Sequence, residues 1–279
     1  AALLPGGSRE SALAGVTLEQ LLCHTSGLRD VPAYQAALED NADYRRVLRA
    51  QGVRGSRPGE AFAYCNLGFG LVGCILEQAT GRSVAQVMDE QLFRPLGMEA
   101  TLDASTLERE RIMPIRRVLT RHAAPEVRVT ALGARPLQQP DPERHFGHTA
   151  GAMYTNAASL SRMMALIAQE GAVDGRQLLR RESIRQMTAE HATYGAVSPG
   201  MRYGLGLVLL EDPALPGCQL VGHQGFSYGC VDGAFADMRS GRQVVFLNGG
   251  ASEARDGRLG LVIRDVLRWG LGKEMSAWR

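Results

Sequence analysis

The sequence predicts an α+β fold: a long helical section, then an antiparallel run of strands, then a closing helix. Three observations predict it. Apolar residues recur at helical spacing through much of residues 16–195. The period then changes, and residues 204–210, 230–238 and 244–248 read as three strands, the last two joined by a Ser240-Gly241 turn. Finally Leu259, Val262, Ile263, Val266 and Trp269 return to helical spacing. No segment repeats. Residues 1–279 therefore read as a single domain, with 16–195 a mostly helical lobe and 200–275 supplying sheet strands and the C-terminal helix.

The elements follow in order. Thr17 and Gln20 fit a capping box, so a short helix is expected over 18–23. His24-Thr25-Ser26-Gly27 breaks it in a turn. Residues 30–50 carry Tyr34, Leu38, Tyr44, Val47 and Leu48 at helical spacing, and Pro58-Gly59 marks a loop. From Leu67 a helix presents Leu71, Cys74 and Ile75 on one face and stops at Gly81. Ser83 and Gln86 form a second capping box for a helix whose buried face is Val84, Val87, Met88 and Leu92. Residues 100–147 read as a long excursion with at most one short hairpin. Helices are expected again over 157–170 and 182–189.

Composition narrows the function classes. The 279 residues are 45% hydrophobic, enough to bury a core, and their formal charge is +2 with no basic run, which excludes an electrostatic footprint for nucleic acid. No apolar stretch reaches the roughly 18 residues of a membrane span. Five cysteines, an odd number with no CxxC pair, read as reduced thiols and lean towards a reducing compartment. The opening Ala1-Ala2-Leu3-Leu4-Pro5 has no initiator methionine and no signal-peptide shape, and reads as the middle of a longer protein. Localisation is left open on that ground.

Several short motifs occur in order along the chain. They are Leu21-Leu22-Cys23-His24-Thr25-Ser26-Gly27-Leu28, Arg57-Pro58-Gly59 with Tyr64-Cys65-Asn66-Leu67-Gly68, Phe93-Arg94-Pro95-Leu96-Gly97-Met98, Ala150-Gly151-Ala152-Met153-Tyr154, and His223-Gln224-Gly225. Together they resemble the serine β-lactamase-like family, which includes class C β-lactamases, penicillin-binding DD-peptidases, D-aminopeptidases and related esterases. The resemblance implies a β-lactamase/transpeptidase-like fold, with an antiparallel sheet flanked by helices beside an all-helical lobe. It implies acyl transfer through a covalent acyl-serine, the serine being activated by a lysine one helical turn away. In that scheme Tyr64 shuttles the proton, and Asn66 binds the substrate amide or orders the lysine. His223 stands for the lysine of a K-T-G motif on the edge strand bordering the site, with Gln224, Gly225 and Phe226 as the substrate and oxyanion residues. The Phe226 N–H is one oxyanion donor, a contribution of about 3 kcal/mol to the transition state.

The chain departs from the family in one decisive respect. The family's Ser-x-x-Lys motif is absent from these residues, because the single lysine is Lys273 and Gly270 stands three positions before it. The nucleophile is expected outside these residues, on an upstream segment or on another chain, together with the missing N-terminal sheet strands. This chain alone should be inactive, and the alternative reading is a catalytically inactive relative used for binding or assembly. Gln224 stands where threonine is common, and an H-x-G motif leans towards esterase or peptidase members. The expected partner is a small-molecule acyl substrate, with no metal and no organic cofactor. An exposed sheet edge would favour pairing with a second copy or with a complementing N-terminal segment.

Each site residue also has a plainer reading. Tyr64 alone would be a core or edge tyrosine, Asn66 a cap for the helix at Leu67, and His223 a strand-end histidine. His24 and Ser26 read as turn residues, and Cys65 as a small buried hydrophobe. His145 and His148 are three apart but lack a third metal ligand at a suitable offset. Gly225-Phe226-Ser227-Tyr228-Gly229 satisfies GxSxG, yet a strand follows it and no histidine lies beyond His223, so Ser227 reads as a loop residue near the site mouth.

Overall fold

The computed structural model describes residues 4, 11–51, 56–116, 118, 129, 132–195, 198, 200–256 and 258–273. The chain divides into two compact units, one of Ala1–Pro95, Ala100–Glu108 and Val129–Tyr154, the other of Leu96–Glu99, Arg109–Arg128 and Thr155–Arg279.

The first unit is built of helices. Helix α1 (Leu18–Leu22) opens on the expected capping box: Thr17 Oγ1 accepts the Gln20 N–H and Gln20 Oε1 accepts the Thr17 N–H. The 30–50 stretch resolves into α2 (Pro32–Glu39) and α3 (Tyr44–Arg49), because Asn41 turns the chain at φ 53° and the Asp43 carboxylate caps α3. Helix α4 (Asn66–Thr80) is the central element. Its Leu67, Leu71 and Cys74 are buried with Leu21, Tyr44, Val47 and Phe146 in one apolar cluster. Gly70 allows that packing, since a Cβ there would land on the Phe146 carbonyl oxygen. The helix stops, as expected, at Gly81 with φ 67°. Helix α5 (Val84–Met88) carries the second capping box and runs on into a π-helical turn, Asp89–Phe93.

A buried carboxylate ties these pieces together. Glu77, on α4, accepts the Val84 N–H at 2.7 Å through Oε1 and the Asp141 N–H at 2.7 Å through Oε2, and its Oε1 lies 2.8 Å from His145 Nδ1. His145, at the head of the 3₁₀ turn His145–Ala150, is thus committed to a structural carboxylate. The described part of 100–147 holds β1 (Ala100–Thr101), short 3₁₀ turns and single bridge-paired residues at Ile115 and Val118, with no hairpin among the described residues. Residues 117, 119–128, 130 and 131 of that stretch lie outside the described residues.

Strand β2 (Tyr154–Thr155) leads into the second unit. Helix α6 (Ala157–Ala168) is capped by Asn156, whose Oδ1 accepts the Ser159 N–H at 2.8 Å. A hairpin of β3 (Ala172–Val173) and β4 (Arg176–Gln177) turns at Asp174 and Gly175, and α7 (Arg181–Thr188) follows. The sheet then forms from β5 (Ala192–Thr193), β6 (Met201–Tyr203), β7 (Val208–Leu210), β8 (Leu220–Ser227), β9 (Cys230–Asp237) and β10 (Gln243–Phe246). Its order is β10-β9-β8-β7-β6-β5, antiparallel throughout.

The antiparallel sheet and closing helix match the sequence reading, but the strand count does not: six strands form where three were expected. The run 204–210 is a strand only from Val208, because the Gly204 N–H closes a turn onto the Leu207 carbonyl at 2.8 Å. Leu209 and Val221 face Ile167 of α6 and Ile184 of α7 on one side of the sheet. On the other side α8 (Leu261–Gly270) lays Ile263 against Gly233. Helices α6 and α7 thus belong to the sheet's unit, whereas the sequence reading grouped them with the helical lobe. Among the described residues no helix is long and apolar enough to cross a membrane.

Candidate active site

The candidate residues fall into two groups, one in each unit. The first lies at the start of α4. Cys65 is the N-cap residue, and its thiol makes no capping bond, so the first N–H groups of the helix need acceptors from elsewhere. They find them on the turn that follows α1. His24 Nδ1 accepts the Cys65 N–H at 3.1 Å. Asp30 accepts the Asn66 N–H at 2.9 Å through Oδ2 and the Leu67 N–H at 3.1 Å through Oδ1. Asn66 is therefore not the cap that its position suggested; Asp30 is.

The same turn backs the side chains. Asp30 Oδ2 accepts from Asn66 Nδ2 at 2.6 Å, which fixes the amide and turns its Oδ1 away from the carboxylate. The His24 ring lies 4.1 Å from the Tyr64 ring, tilted 34°, with Phe62 and Phe69 closing round it. His24 accepts on Nδ1, so its neutral ring carries its proton on Nε2. Backbone bonds complete the cradle: the Ala63 N–H reaches the His24 carbonyl at 2.8 Å and the Gly59 N–H the Thr25 carbonyl at 2.7 Å. His24, Thr25, Ser26 and Cys65 are buried, whereas Tyr64 keeps 44% of its surface exposed. Tyr64 thus stands exposed at the head of a helix, over a buried His24 and the half-buried rings of Phe62 and Phe69.

Cys65 is not a competing nucleophile. Burial first, then the nearby Asp30 charge, pushes its thiol far above the ordinary range, so it stays protonated. The same two causes raise the Tyr34 phenol.

The second group sits on β8. Residues Leu220–Gly222 pair with both β7 and β9, but β7 ends at Val208 opposite Gly222. From His223 to Ser227 the strand pairs only with β9 among the described residues. His223 is thus on an interior strand of the sheet, at the point where that strand becomes one-sided; the sequence reading had placed it on an edge strand. The Val231 N–H goes to the Asn248 carbonyl, so its register partner Phe226 belongs to a non-hydrogen-bonded pair and turns its N–H away from β9. That orientation is what an oxyanion donor needs.

His223 is held at both nitrogens. Its Nδ1 lies 2.7 Å from the Gln224 carbonyl, which can only accept, and its Nε2 lies 3.1 Å from the Tyr203 hydroxyl. The consistent tautomer is Nδ1–H, with the Tyr203 O–H donating to Nε2. Burial lowers its pKa, against a smaller upward pull from the Gln224 carbonyl, so the ring is neutral at pH 7. A neutral imidazole with both nitrogens engaged orients backbone and a phenol; it does not supply the positive charge that a lysine at this position would. Gln224 points to the opposite face, where Nε2 donates to the Arg258 carbonyl at 2.8 Å and Oε1 accepts the Gly260 N–H at 3.1 Å. Its amide anchors the lead-in to α8. Gly225 lies opposite Asp232, whose pKa is raised by burial and whose Oδ2 accepts the Cys230 thiol at 2.9 Å. The Phe226 ring carries the Arg255 guanidinium 3.6 Å above its centroid. Sequence reasoning missed Asp30 and Tyr203, which are brought to the site residues only by the fold.

Comparison with known proteins agrees with these motifs. The family profile described as Beta-lactamase matches residues 2–246. A D-aminopeptidase of Cereibacter sphaeroides is 28% identical over 240 residues, covering 82% of this chain and 42% of the relative. Penicillin-binding protein 4* of Bacillus subtilis is 37% identical over 94 residues, covering 31% of this chain and 21% of the relative. The chain therefore spans less than half the length of these curated relatives. Among solved structures, a D-stereospecific amidohydrolase from Streptomyces sp. superposes with a TM-score of 0.66 at 20% identity, covering 95% of this chain and 74% of that one. The octameric penicillin-binding protein homologue from Pyrococcus abyssi gives a TM-score of 0.66 at 20% identity, over 92% and 56%. At those identities the structures show a shared fold.

Proposed function

The chain belongs to the beta-lactamase family of serine hydrolases, and on that premise we propose that it serves hydrolytic acyl transfer through an acyl-serine, with amides of D-amino acids as its substrate class. In this reading the serine and its lysine lie outside residues 1–279. Tyr64 takes the proton released as the serine oxygen attacks the carbonyl carbon, and returns it to the leaving amine. Asn66 offers its amide to the substrate. The Phe226 N–H donates to the developing oxyanion, and neutral His223 keeps the Gln224 carbonyl beside it in place.

The observation that carries the reading is the Tyr64-Cys65-Asn66 motif, whose exposed phenol and fixed amide are both supported from behind by buried or hydrogen-bonded groups. The D-aminopeptidase relative and the D-stereospecific amidohydrolase neighbour support the substrate class. A second reading, an inactive relative used for binding, is favoured by one fact: the only lysine, Lys273, has Gly270 three residues before it and donates to the Pro216 carbonyl.

The test is intact mass before and after a fluorophosphonate, with turnover of D- and L-phenylalanine amide on the same full-length protein. One phosphonate adduct on a serine upstream of this chain, with the D-amide preferred, is the expected result. An adduct with no amide turnover replaces the substrate class with esters. No adduct at all leaves the binding protein.

A further inference from the structure

We propose that the turn 24–30 is a positioning platform, in which His24 holds the Tyr64 ring and Asp30 holds the Asn66 amide for catalysis. The catalytic consequence rests on the hydrolase reading above; the geometry does not.

Two observations separate this platform from an ordinary helix cap. A cap needs acceptors for N–H groups, and Asp30 supplies them to Asn66 and Leu67. It does not need the further 2.6 Å bond from Asn66 Nδ2, which constrains a side chain already outside the helix ladder. That bond decides which end of the amide faces outward. The second observation is the backbone of His24. It is buried and left-handed at φ 57°, a conformation that glycine enters freely and that asparagine and aspartate share with histidine. The turn alone does not call for histidine there. The ring does two things a smaller residue cannot combine: it accepts the Cys65 N–H and lies against the Tyr64 ring. Between them, the two side chains engage three consecutive N–H groups, at 65, 66 and 67, and both functional side chains of the motif.

The experiment uses the full-length protein with Asp30→Asn and His24→Asn. Asparagine at 30 keeps one accepting oxygen but presents an amide nitrogen to the other donors, so part of the cap survives while the Asn66 orientation is lost. Asparagine at 24 keeps the left-handed turn and an acceptor but removes the ring. For each variant we expect kcat for the amide substrate to fall about 30-fold or more, with KM within about threefold of the wild type. The side-chain ¹H–¹⁵N resonances of Asn66 should shift in Asp30→Asn. Wild-type kcat in both variants, with the Asn66 resonances moved, would overturn the catalytic role and leave the hydrolase reading intact. If the wild-type protein neither labels nor turns over, the hydrolase reading has failed. The platform is then judged by the Asn66 resonances alone: a shift upholds it and unmoved resonances overturn it.

Discussion

At the scale of single residues, the site separates side chains that act from side chains that hold. Under the proposed function Tyr64 belongs to the first kind. Removing its hydroxyl leaves the ring on His24 and changes a half-exposed surface, so Tyr64→Phe should keep the wild-type melting temperature. It should also lower kcat by about 100-fold or more, the usual scale for a lost proton-transfer group. Steady-state kinetics beside a thermal melt checks both halves. Gln224 belongs to the second kind. Its amide is occupied on the face opposite His223, so Gln224→Ala should cost about 1–3 kcal/mol in chemical denaturation and leave KM nearly unchanged. A large KM increase at wild-type stability would restore the substrate role that the motif suggests for Gln224. Tyr64, Asn66 and His223 could be named as candidates from the sequence because their residue types fall in short contiguous motifs. Asp30 and Tyr203 could not, because they meet Asn66 and His223 across 36 and 20 residues of chain. No local spacing reports a contact that only the fold creates.

At the scale of elements, α4 shows how glycine trades propensity for closeness. A glycine inside a helix costs roughly 1 kcal/mol relative to alanine, so in an unpacked helix a change to alanine would stabilise. Here Gly70→Ala would drive a Cβ into the Phe146 backbone carbonyl, which cannot move without shifting the His145–Ala150 turn. Gly73→Ala meets only the Thr149 side chain, at 2.7 Å from Oγ1. Gly70→Ala should therefore destabilise by about 3 kcal/mol or more, and Gly73→Ala by clearly less, in urea titrations of the two variants. Where a signal is local the sequence was readable: both capping boxes and the Gly81 stop lie within a few residues of what they control. The sheet was harder. Strands β5 and β6 have two and three residues, too few to display alternation, and β8 is interrupted by Gly222 and Gly225. The Asp174-Gly175 turn was a local signal, but the strands it joins are two residues each, so nothing beside it marked a hairpin.

At the scale of the whole molecule, the buried histidine beside Glu77 and His145 predicts how stability depends on acidity. His148 donates Nδ1–H to the His145 carbonyl at 3.3 Å, and its Nε2 is buried with no hydrogen-bond partner among the described residues. Burial, with a smaller push from the His145 charge, lowers its pKa to about 4. The unfolded chain titrates this ring near the ordinary value of about 6.5. Between those two values the unfolded state binds the extra proton and the folded state does not. Stability is therefore whole above about pH 6.5 and is lost as pH falls towards 4, by at most about 3 kcal/mol from this residue. The paired carboxylates act lower down: Arg144 holds Asp141 below its ordinary value despite burial, so its contribution goes only under about pH 4. Asp232, raised by burial, works in the opposite sense and gains as pH falls. Because these other groups are common to both proteins, comparing wild type with His148→Leu isolates the histidine. Urea midpoints taken from pH 7 to pH 4 should fall more steeply in the wild type, and the two curves should converge or cross near the acid end. Parallel curves would mean that His148 takes up its proton in the folded protein as readily as in the unfolded chain, and that acid instability arises from the carboxylates alone.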